Sequence, residues 1–360
     1  MAKIVVAMSG GVDSSLAAAL LKEAGHDIIG VTLHLWDGDE DQLAESLCCS
    51  QEIAESARRV CAQLEIPYYV FNYQREFRKY VIEYFLSEYA RGLTPNPCLA
   101  CNRELKFRAL LTRALSLGYE YVATGHYARI QMANNHYQLL RALDPEKDQA
   151  YMLHMLGQSE LARLIFPIGE YTKQQVRELA TERGLASADR PESQDICFVP
   201  GGDYRNLLRQ ERPESLIPGP IVDQGGRQLG QHQGMPLYTI GQRRGLSISA
   251  GQPLYVTGFD PEHNAVVVGP AAALERNSLE ADRCTFVNGI WPDAAFDCTA
   301  QIRSHATPTP ARVIPLDAGR VQVQFERPQR AISPGQAVVL YDGATILGGG
   351  QIVPGTHDEA

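Results

Sequence analysis

The stretch KIVVAMSGGVDSSLAAALLKEAG, residues 3–25, decides the fold of the amino-terminal half of the chain. Residues 4–8 form a short apolar run rich in β-branched side chains, which predicts a buried strand of a parallel sheet. Residues 14–22 predict a helix directly after the turn. Gly10 and Gly11 allow the backbone to bend sharply and approach a ligand, and the helix start supplies unpaired N–H groups. The sequence therefore predicts an anion site suited to phosphate.

The same turn also fits a simpler interpretation, a tight connection in which Asp13 or Ser14 caps the helix. Two familiar phosphate loops are excluded, because no Lys follows the glycines as in GxxxxGK(S/T) and the spacing GxGxxG is absent. The loop SGGVDSS resembles that of ATP pyrophosphatases, in which the turn grips the departing pyrophosphate. That resemblance implies phosphate contacts from Ser9, Gly10, Gly11, Asp13 and Ser14, with Asp13 also near Mg²⁺.

Length and composition indicate an ordinary globular protein of two or three domains, with 360 residues. The first residues contain no long apolar segment or cleavage site, and no run approaches a membrane span, so we expect a cytoplasmic protein without membrane contact. The net charge of −9 argues against binding nucleic acid over the whole surface. Local basic clusters at residues 103–113 and 242–244 remain compatible with RNA, although solvated faces explain them equally well.

The order of patterns along the chain predicts three domains. Between residues 3 and 127, apolar runs at 28–36, 68–71 and 121–124 alternate with helical patterns at 47–64, 77–91 and 102–117, which is typical of a parallel sheet covered by helices. Beyond residue 203 short alternating strands predominate, including a hairpin around residues 261–264. We predict an α/β domain at 1–204, a small β-rich domain at 205–280 and a β-barrel at 281–360.

The eight cysteines carry no disulfide signal in a chain without a secretory segment. Cys61 lies at an apolar helical position and is predicted to be a core residue. Cys98 and Cys101, in TPNPCLACN, stand at the entrance of a helix followed by basic residues, which predicts a lowered thiol pKa. A zinc knuckle lacks a second ligand pair. An iron–sulfur cluster with Cys197, or thiol chemistry between Cys101 and Cys197, uses the available groups, and thiol chemistry fits them best.

Several motifs occur together in one order: SGGVDSS, TPNPCLACN, ATGHYAR, KDQAYML, ESQDICF, GQRRGL and SPGQ. Over essentially the whole chain they resemble the tRNA-specific 2-thiouridylases, which exchange oxygen for sulfur at C2 of the wobble uridine. The resemblance implies a parallel-sheet nucleotide-binding domain of the adenine nucleotide alpha hydrolase type, followed by the two β-rich domains. It also implies ATP and Mg²⁺ as cofactors. The implied partners are the anticodon arms of tRNAs for lysine, glutamate and glutamine, a cysteine desulfurase or sulfur-relay protein, and a reductant.

The resemblance assigns roles to individual residues. Cys101 corresponds to the nucleophile, Cys197 to the persulfide carrier and Asp13 to a catalytic position of the ATP loop. The implied ATP contacts are Ala7, Met8, Ser9, Gly10, Gly11, Val12, Asp13, Ser14, Leu33 and Gly125. The implied tRNA contacts are Asn96, Pro97, Cys98, His126, Lys147, Asp148, Gln149, Arg303, Ser304 and Gln336. Ser304 departs from the larger polar residue expected there, and Cys98 replaces an Asp present in some members.

The predicted function is therefore ATP-dependent 2-thiolation of the wobble uridine, U34. The C2 oxygen would first be adenylated and then replaced by sulfur from a persulfide on Cys197. Three alternatives stay open: an adenylating ligase that acts on a small metabolite, a noncatalytic RNA-binding or metal-binding protein, and a 4Fe–4S cluster held by Cys98, Cys101 and Cys197.

Overall fold

The computed structural model describes residues 1–36, 51–190, 196–317 and 319–355. The acidic segment 37–45, whose charge predicts a solvated loop between strand and helix, falls outside these ranges. So do Cys48, Cys49, the start of the helix predicted at 47–64, and most of the motif ESQDICF before its Ile196. In the described part of the chain, no helix is long and apolar enough to cross a membrane.

The described residues form strands and helices in the following order. The strands are β1 (Lys3–Ala7), β2 (Asp27–His34), β3 (Tyr68–Asn72), β4 (Tyr121–Thr124), β5 (Ala128–Ala133), β6 (His136–Arg141), β7 (Leu164–Ile165), β8 (Gly219–Asp223), β9 (Gln228–His232), β10 (Tyr255–Asp260), β11 (Ala265–Gly269), β12 (Glu275–Phe286), β13 (Phe296–Gln301), β14 (Thr309–Pro315), β15 (Val321–Arg330), β16 (Ala337–Asp342) and β17 (Thr345–Ile352). The helices are α1 (Val12–Glu23), α2 (Gln51–Gln63), α3 (Gln74–Phe77), α4 (Glu83–Ala90), α5 (Pro97–Cys101), α6 (Leu110–Ser116), α7 (Gln158–Leu161), α8 (Lys173–Glu182) and α9 (Tyr204–Glu211).

A five-stranded parallel sheet forms the centre of the amino-terminal domain, in the order β3-β2-β1-β4-β7. Successive side chains of a strand point to opposite faces, so β1 contributes to two cores. Ile4 and Val6 pack in one buried cluster with Leu16 of α1. Val5 packs in the other, with Phe85 of α4. Helices thus cover both faces, as predicted, and the α/β fold class is confirmed.

Two wide helical turns interrupt the helices on one face of this sheet. π-Helical residues Arg78–Ile82 join α3 to α4, and π-helical residues Asn102–Ala109 join α5 to α6. The segment with both TPNPCLACN cysteines therefore runs into one continuous helix, which begins at Pro97 and not at residue 102. Such wide turns are frequent at functional sites.

The hairpin of β5 and β6 leaves the parallel sheet and joins the carboxyl-terminal barrel, where Leu140 pairs with Thr345 of β17. Asn134 and Asn135 form its turn, both with positive φ, as a tight hairpin connection requires. Arg141, at its end, places its guanidinium 4.0 Å from the centre of the Tyr341 ring. The hairpin therefore links the first and last domains.

The two carboxyl-terminal units are built from β-strands. The first is a four-stranded sheet in the order β10-β11-β8-β9, and it contains the hairpin predicted at residues 261–264. In the second, strands β12-β15-β14-β13-β16-β17 are neighbours, and β17 pairs back with β12 to close a six-stranded barrel. The predicted barrel is confirmed, whereas the domain limits at 204/205 and 280/281 stay predictions.

The barrel closes at three consecutive glycines of β17, Gly348–Gly350. A Cβ on Gly348 would overlap with the carbonyl oxygen of Thr285 in β12, and one on Gly350 with Sγ of Cys284. A Cβ on Gly349 would lie 2.7 Å from the ring of His154, which belongs to the amino-terminal domain. We call these three residues the glycine seam. Because these glycines have no side chains, β17 can approach both β12 and His154 of the amino-terminal domain closely.

Candidate active site

The loop between β1 and α1 lies at the carboxyl edge of the parallel sheet, where ligands bind in open α/β folds. Gly10 has φ +70°, and a Cβ there would lie 2.7 Å from the carbonyl oxygen of Ile53. Gly11 is the residue before the helix, and no side chain of the described residues caps it. The alternative in which Asp13 or Ser14 caps the helix is therefore wrong, because both residues lie inside α1. The N–H groups of the first turn remain available to a ligand.

Ser14 and Gly125 shape this loop from within the domain. The Ser14 hydroxyl donates to the Gly11 carbonyl at 3.1 Å and accepts from the Ser9 N–H at 3.2 Å. Gly125 follows β4, and a Cβ there would lie 2.6 Å from the Ser14 nitrogen. The absence of a side chain at Gly125 thus allows the end of β4 to pack directly against the first turn of α1.

A cavity of about 350 Å³ lies between this loop, the helix that carries Cys98 and Cys101, and the segment around Cys197. Thirteen of the residues singled out from the sequence line it: Ala7, Met8, Ser9, Asp13, Ser14, Leu33, Pro97, Cys98, Cys101, Gly125, His126, Gln149 and Cys197. Residues about 185 positions apart in the chain therefore meet in one space, since Asp13 and Cys197 both face it.

The thiols at this cavity are positioned by a helix start and by an aromatic contact. Asn96 accepts the Cys98 N–H at 3.1 Å as the cap of α5, whose single turn separates Cys98 from Cys101. Phe198 is buried and meets the rings of Phe77 and Phe85 edge-on, at 5.6 and 5.3 Å between centres. Because Phe198 is fixed in the core, its neighbour Cys197 is held at the cavity wall.

The remaining described thiols differ from these three. Cys61 is fully buried, as predicted, and burial raises its pKa to about 11. Burial likewise raises the pKa of Cys284 and of Cys298 to about 12. None of the three lines the cavity, and at neutral pH all are protonated and unreactive.

Asp13 is held by two side chains that the sequence analysis did not identify. Lys173, the first residue of α8, lies with its ammonium nitrogen 2.8 Å from each oxygen of the Asp13 carboxylate. The Tyr127 hydroxyl donates to the same carboxylate at 2.8 Å. Thr172 and Gln175 form a capping box. This pattern indicates in the sequence where α8 starts, but it does not indicate that Lys173 contacts Asp13.

Two further cations surround the cavity. Lys106 lines it from the π-helical turn that follows Cys101. Arg190 lies beside the loop, with its guanidinium 3.4 Å from the Gly10 carbonyl oxygen. Lys106, Lys173 and Arg190 outnumber Asp13, the one carboxylate among the described residues that line the cavity, so positive charge predominates around it, which favours a polyphosphate ligand.

His126 is an uncharged group at this cavity. Its Nδ1 lies 2.7 Å from the Thr124 hydroxyl, and its ring packs near Phe107 and Phe166. Burial, aided by the nearby charge of Lys106, holds the pKa of His126 well below its usual range. At neutral pH the ring is a neutral hydrogen-bonding group and carries no charge for RNA phosphates.

The other residues assigned to tRNA lie outside the cavity. Asp148 turns inward and accepts the N–H groups of Ala142 and Ala150, and burial raises its pKa. Arg303 is exposed on the barrel and donates to the Ala331 carbonyl. Gln336 donates to the Thr94 carbonyl at 2.8 Å. The remaining assigned residues outside the cavity lining are Gly10, Gly11, Val12, Asn96, Lys147 and Ser304.

The donors near the loop can be tested against the two metal groups that the resemblance implies. Among the described residues that line the cavity, Asp13 is the one carboxylate. One carboxylate together with substrate phosphates is a typical Mg²⁺ environment, so this donor set fits. Cys98, Cys101 and Cys197 share the cavity, but in the described ranges no three His, Cys, Asp or Glu side chains are grouped so as to hold a metal ion. A 4Fe–4S cluster held by Cys98, Cys101 and Cys197 stays an untested alternative.

Three family models match the chain. They are described as a tRNA methyl transferase HUP domain at residues 2–201, a tRNA methyl transferase PRC-barrel domain at 205–270 and an aminomethyltransferase beta-barrel domain at 276–352.

Curated relatives match nearly the full length of the chain. A tRNA-specific 2-thiouridylase MnmA of Roseiflexus sp. (strain RS-1) is 70% identical, covering 98% of this chain and 99% of that protein. One of Chloroflexus aggregans is 65% identical, with 98% of each chain covered. One of Carboxydothermus hydrogenoformans is 52% identical, with 97% of each chain covered.

Proposed function

The chain belongs to the family of tRNA-specific 2-thiouridylases, and from that premise we propose that its cavity performs ATP-dependent 2-thiolation of U34 in tRNA. The observation that carries the proposal is the shared cavity, which joins the SGGVDSS loop to Cys98, Cys101 and Cys197. A methyl transferase, the activity in the family-model description, would leave both the loop and the thiols without a role.

The loop side of the cavity would bind ATP. The first turn of α1 offers its N–H groups to the phosphates, and Lys106, Lys173 and Arg190 add positive charge. The C2 oxygen of the uridine attacks the α-phosphorus, the bond to the β-phosphate oxygen breaks, and pyrophosphate leaves. Uridine then carries AMP on its C2 oxygen, which makes that oxygen a good leaving group.

Mg²⁺ would be held by Asp13 and the phosphates, and when bound it neutralises charge on the departing pyrophosphate. Both oxygens of Asp13 accept hydrogen bonds from Lys173, so this lysine sets the orientation of the carboxylate. Because this ammonium lies 2.8 Å from the Asp13 carboxylate, it would also add positive charge near the bound phosphates.

The thiol side would replace the activated oxygen. The terminal sulfur of a Cys197 persulfide attacks C2, and AMP leaves with the oxygen. The Cys101 thiolate then attacks Sγ of Cys197, which releases 2-thiouridine and forms a Cys101–Cys197 disulfide. In a variant of this route, Cys101 first attacks the persulfide and frees hydrosulfide, which attacks C2. Both routes consume one sulfur atom and two electrons per turnover.

The chemistry requires partners besides tRNA. A cysteine desulfurase or sulfur-relay protein would load Cys197, and an external dithiol would reduce the disulfide. We expect the tRNAs to be those for lysine, glutamate and glutamine, whose wobble base would leave the anticodon stack to enter the cavity. A reducing cytoplasmic setting suits this cycle and remains part of the proposal.

The proposal is tested by incubating the chain with ATP, Mg²⁺, a sulfide source and unmodified tRNAs for lysine, glutamate and glutamine, followed by mass analysis of the nucleosides. We expect 2-thiouridine that depends on ATP. Methylated uridine would contradict the proposal, as would tRNA binding without any product. Pyrophosphate release with a small metabolite but not with tRNA would favour the ligase. Thiolation by an iron-free anaerobic preparation would exclude the cluster.

A further inference from the structure

A turn of the carboxyl-terminal barrel contacts the chain directly before the two cavity thiols. We call residues 333–336 the barrel turn and residues 93–101 the thiol segment. The Thr94 N–H donates to the Pro334 carbonyl at 2.8 Å, and the Gln336 side-chain amide donates to the Thr94 carbonyl at 2.8 Å. Both backbone polar groups of Thr94 are therefore satisfied by another domain.

Thr94 lies directly before a part of the thiol segment that has few hydrogen-bond donors of its own. Pro95 and Pro97 carry no N–H group, so the backbone between Thr94 and Cys98 has few donors of its own. Asn96 uses its side chain to cap α5 and to contact the Met152 sulfur at 3.6 Å. These contacts add to the burial of Pro97 and Ala100, which packs α5 against the core.

The barrel turn is itself rigid. Gly335 has φ +93°, and a Cβ there would lie 2.7 Å from the Thr94 nitrogen and 3.0 Å from Cβ of Leu93. Its N–H donates to the Ile352 carbonyl at 2.8 Å, and the Ile352 N–H donates to the Gln336 carbonyl at 2.8 Å. The barrel turn is thus hydrogen-bonded to β17, and its backbone packs directly against the thiol segment.

Two further hydrogen bonds, made by Tyr151 and Met152, connect the barrel to the helix that carries the thiols. The buried Tyr151 donates its hydroxyl to the Ala337 carbonyl at 2.8 Å. The next residue, Met152, accepts the side-chain amide of Asn102 through its carbonyl at 3.1 Å. Because Asn102 directly follows Cys101, the thiol-bearing helix is held between the barrel turn and residues 151–152.

We propose that Gln336 is a positioning residue, which holds the Thr94 carbonyl so that the docked barrel sets the place of Cys98 and Cys101 in the cavity. This role rests on the proposed function for its catalytic consequence, but the contact itself exists without RNA. The amide that the resemblance assigns to tRNA is turned toward the protein. The barrel therefore contributes to the chemical step as well as to RNA binding.

The first test uses the protein alone. Gln158 provides a control, because its side-chain amide also joins the two domains: it donates to the Val287 carbonyl of the barrel at 2.7 Å, and its other partner is Tyr137, outside the thiol segment. In hydrogen exchange, we expect Gln336→Ala to speed exchange of a peptide spanning residues 93–101 by about tenfold, and Gln158→Ala to leave it unchanged. Unchanged exchange in Gln336→Ala, or equal acceleration in both variants, would overturn the proposal.

The second test separates positioning from RNA binding. We expect Gln336→Ala to lower the single-turnover thiolation rate by about five- to tenfold, the effect of one lost hydrogen bond, with less than twofold change in tRNA Kd. Gln336→Glu, of the same size but without the donor, should behave alike. A raised Kd with an unchanged saturating rate would make Gln336 an RNA contact only, and overturn the proposal. If the proposed thiolation were wrong, both rates would be zero while the exchange result would still stand.

Discussion

Asp13 is the residue through which the loop would act on ATP. Asp13→Ala removes the carboxylate that faces Lys173 and would hold Mg²⁺, so we expect pyrophosphate release to fall by about a hundredfold or more. The measurement is ATP-dependent pyrophosphate release with tRNA present. Asp27→Ala is the control, since Asp27 is exposed at the start of β2, the opposite edge of the sheet, and its loss should have no effect. Normal release by Asp13→Ala would contradict the assignment of the loop.

The three cavity thiols should differ in importance. Cys101→Ser and Cys197→Ser each remove a sulfur that forms a bond during the proposed cycle, so we expect no detectable 2-thiouridine while tRNA binding is retained. Cys98→Ser should cost less, because no bond forms at its sulfur. Cys298→Ser is the control, with a half-buried barrel thiol outside the cavity. Activity that survived in both Cys101→Ser and Cys197→Ser would refute the thiol roles.

His154 should make the stability of the fold depend on pH. It is buried beside the glycine seam and donates from Nδ1 to the Tyr151 carbonyl at 2.9 Å, and burial lowers its pKa to about 4. Between pH 6.5 and 4 the unfolded chain binds a proton that the folded chain does not, so the free energy of unfolding falls with falling pH, by about 3 kcal/mol. Denaturant titrations at several pH values, compared with His154→Phe, isolate this contribution. An equally steep pH dependence in the variant would contradict it.

Individual site residues could be predicted from the sequence where they stand in a short motif. Cys98, Cys101 and the loop glycines stand in short motifs, and the structure brings them to one cavity. Lys173 could not be found in this way, because its contact with Asp13 joins residues 160 positions apart and depends on the packing of α8 against α1. Nor does a local pattern show that Gln336 reaches Thr94, 242 positions away.

The strand–turn–helix unit of residues 3–25 depends on the conformation of Gly10. Gly10 and Gly25 both have positive φ, but a Cβ on Gly10 would meet a backbone oxygen at 2.7 Å, whereas nothing lies within 4 Å of one on Gly25. We expect Gly25→Ala to cost about 1 kcal/mol of stability and Gly10→Ala roughly 1–3 kcal/mol more. Thermal unfolding measures both. ATP binding should be lost only in Gly10→Ala, and equal effects of the two changes would contradict the steric explanation.

Elements were predictable where apolar residues form a continuous run or alternate regularly with polar residues. Strands β1 to β4 and the hairpin of β10 and β11 follow from such patterns. The π-helical turns do not follow from such patterns, because a helical turn that is wider by one residue requires no particular residue types. The two-residue strand β7 is too short to carry a period. The destination of the β5–β6 hairpin depends on its pairing with β17, more than 200 residues later.

On the scale of the whole molecule, a chain with net charge −9 must bind RNA through a restricted basic surface. Arg303, exposed on the barrel, is the assigned cation there. We expect Arg303→Ala to weaken tRNA binding and to reduce the slope of log K against log salt by about 1. Arg312→Ala is the control, because Arg312 pairs with Asp297 on the same barrel. Equal slopes for the chain and for Arg303→Ala would remove Arg303 from the RNA surface.

The glycine seam has a consequence for how the molecule tolerates change. At Gly348–Gly350 the neighbours are a backbone carbonyl of β12, a cysteine sulfur and the ring of His154. An added methyl group at Gly348 would displace β17 from β12, and one at Gly349 would meet both the Val338 carbonyl oxygen within the barrel and the ring of His154 in the amino-terminal domain. The three glycines of the seam thus couple closure of the barrel to its contact with the amino-terminal domain.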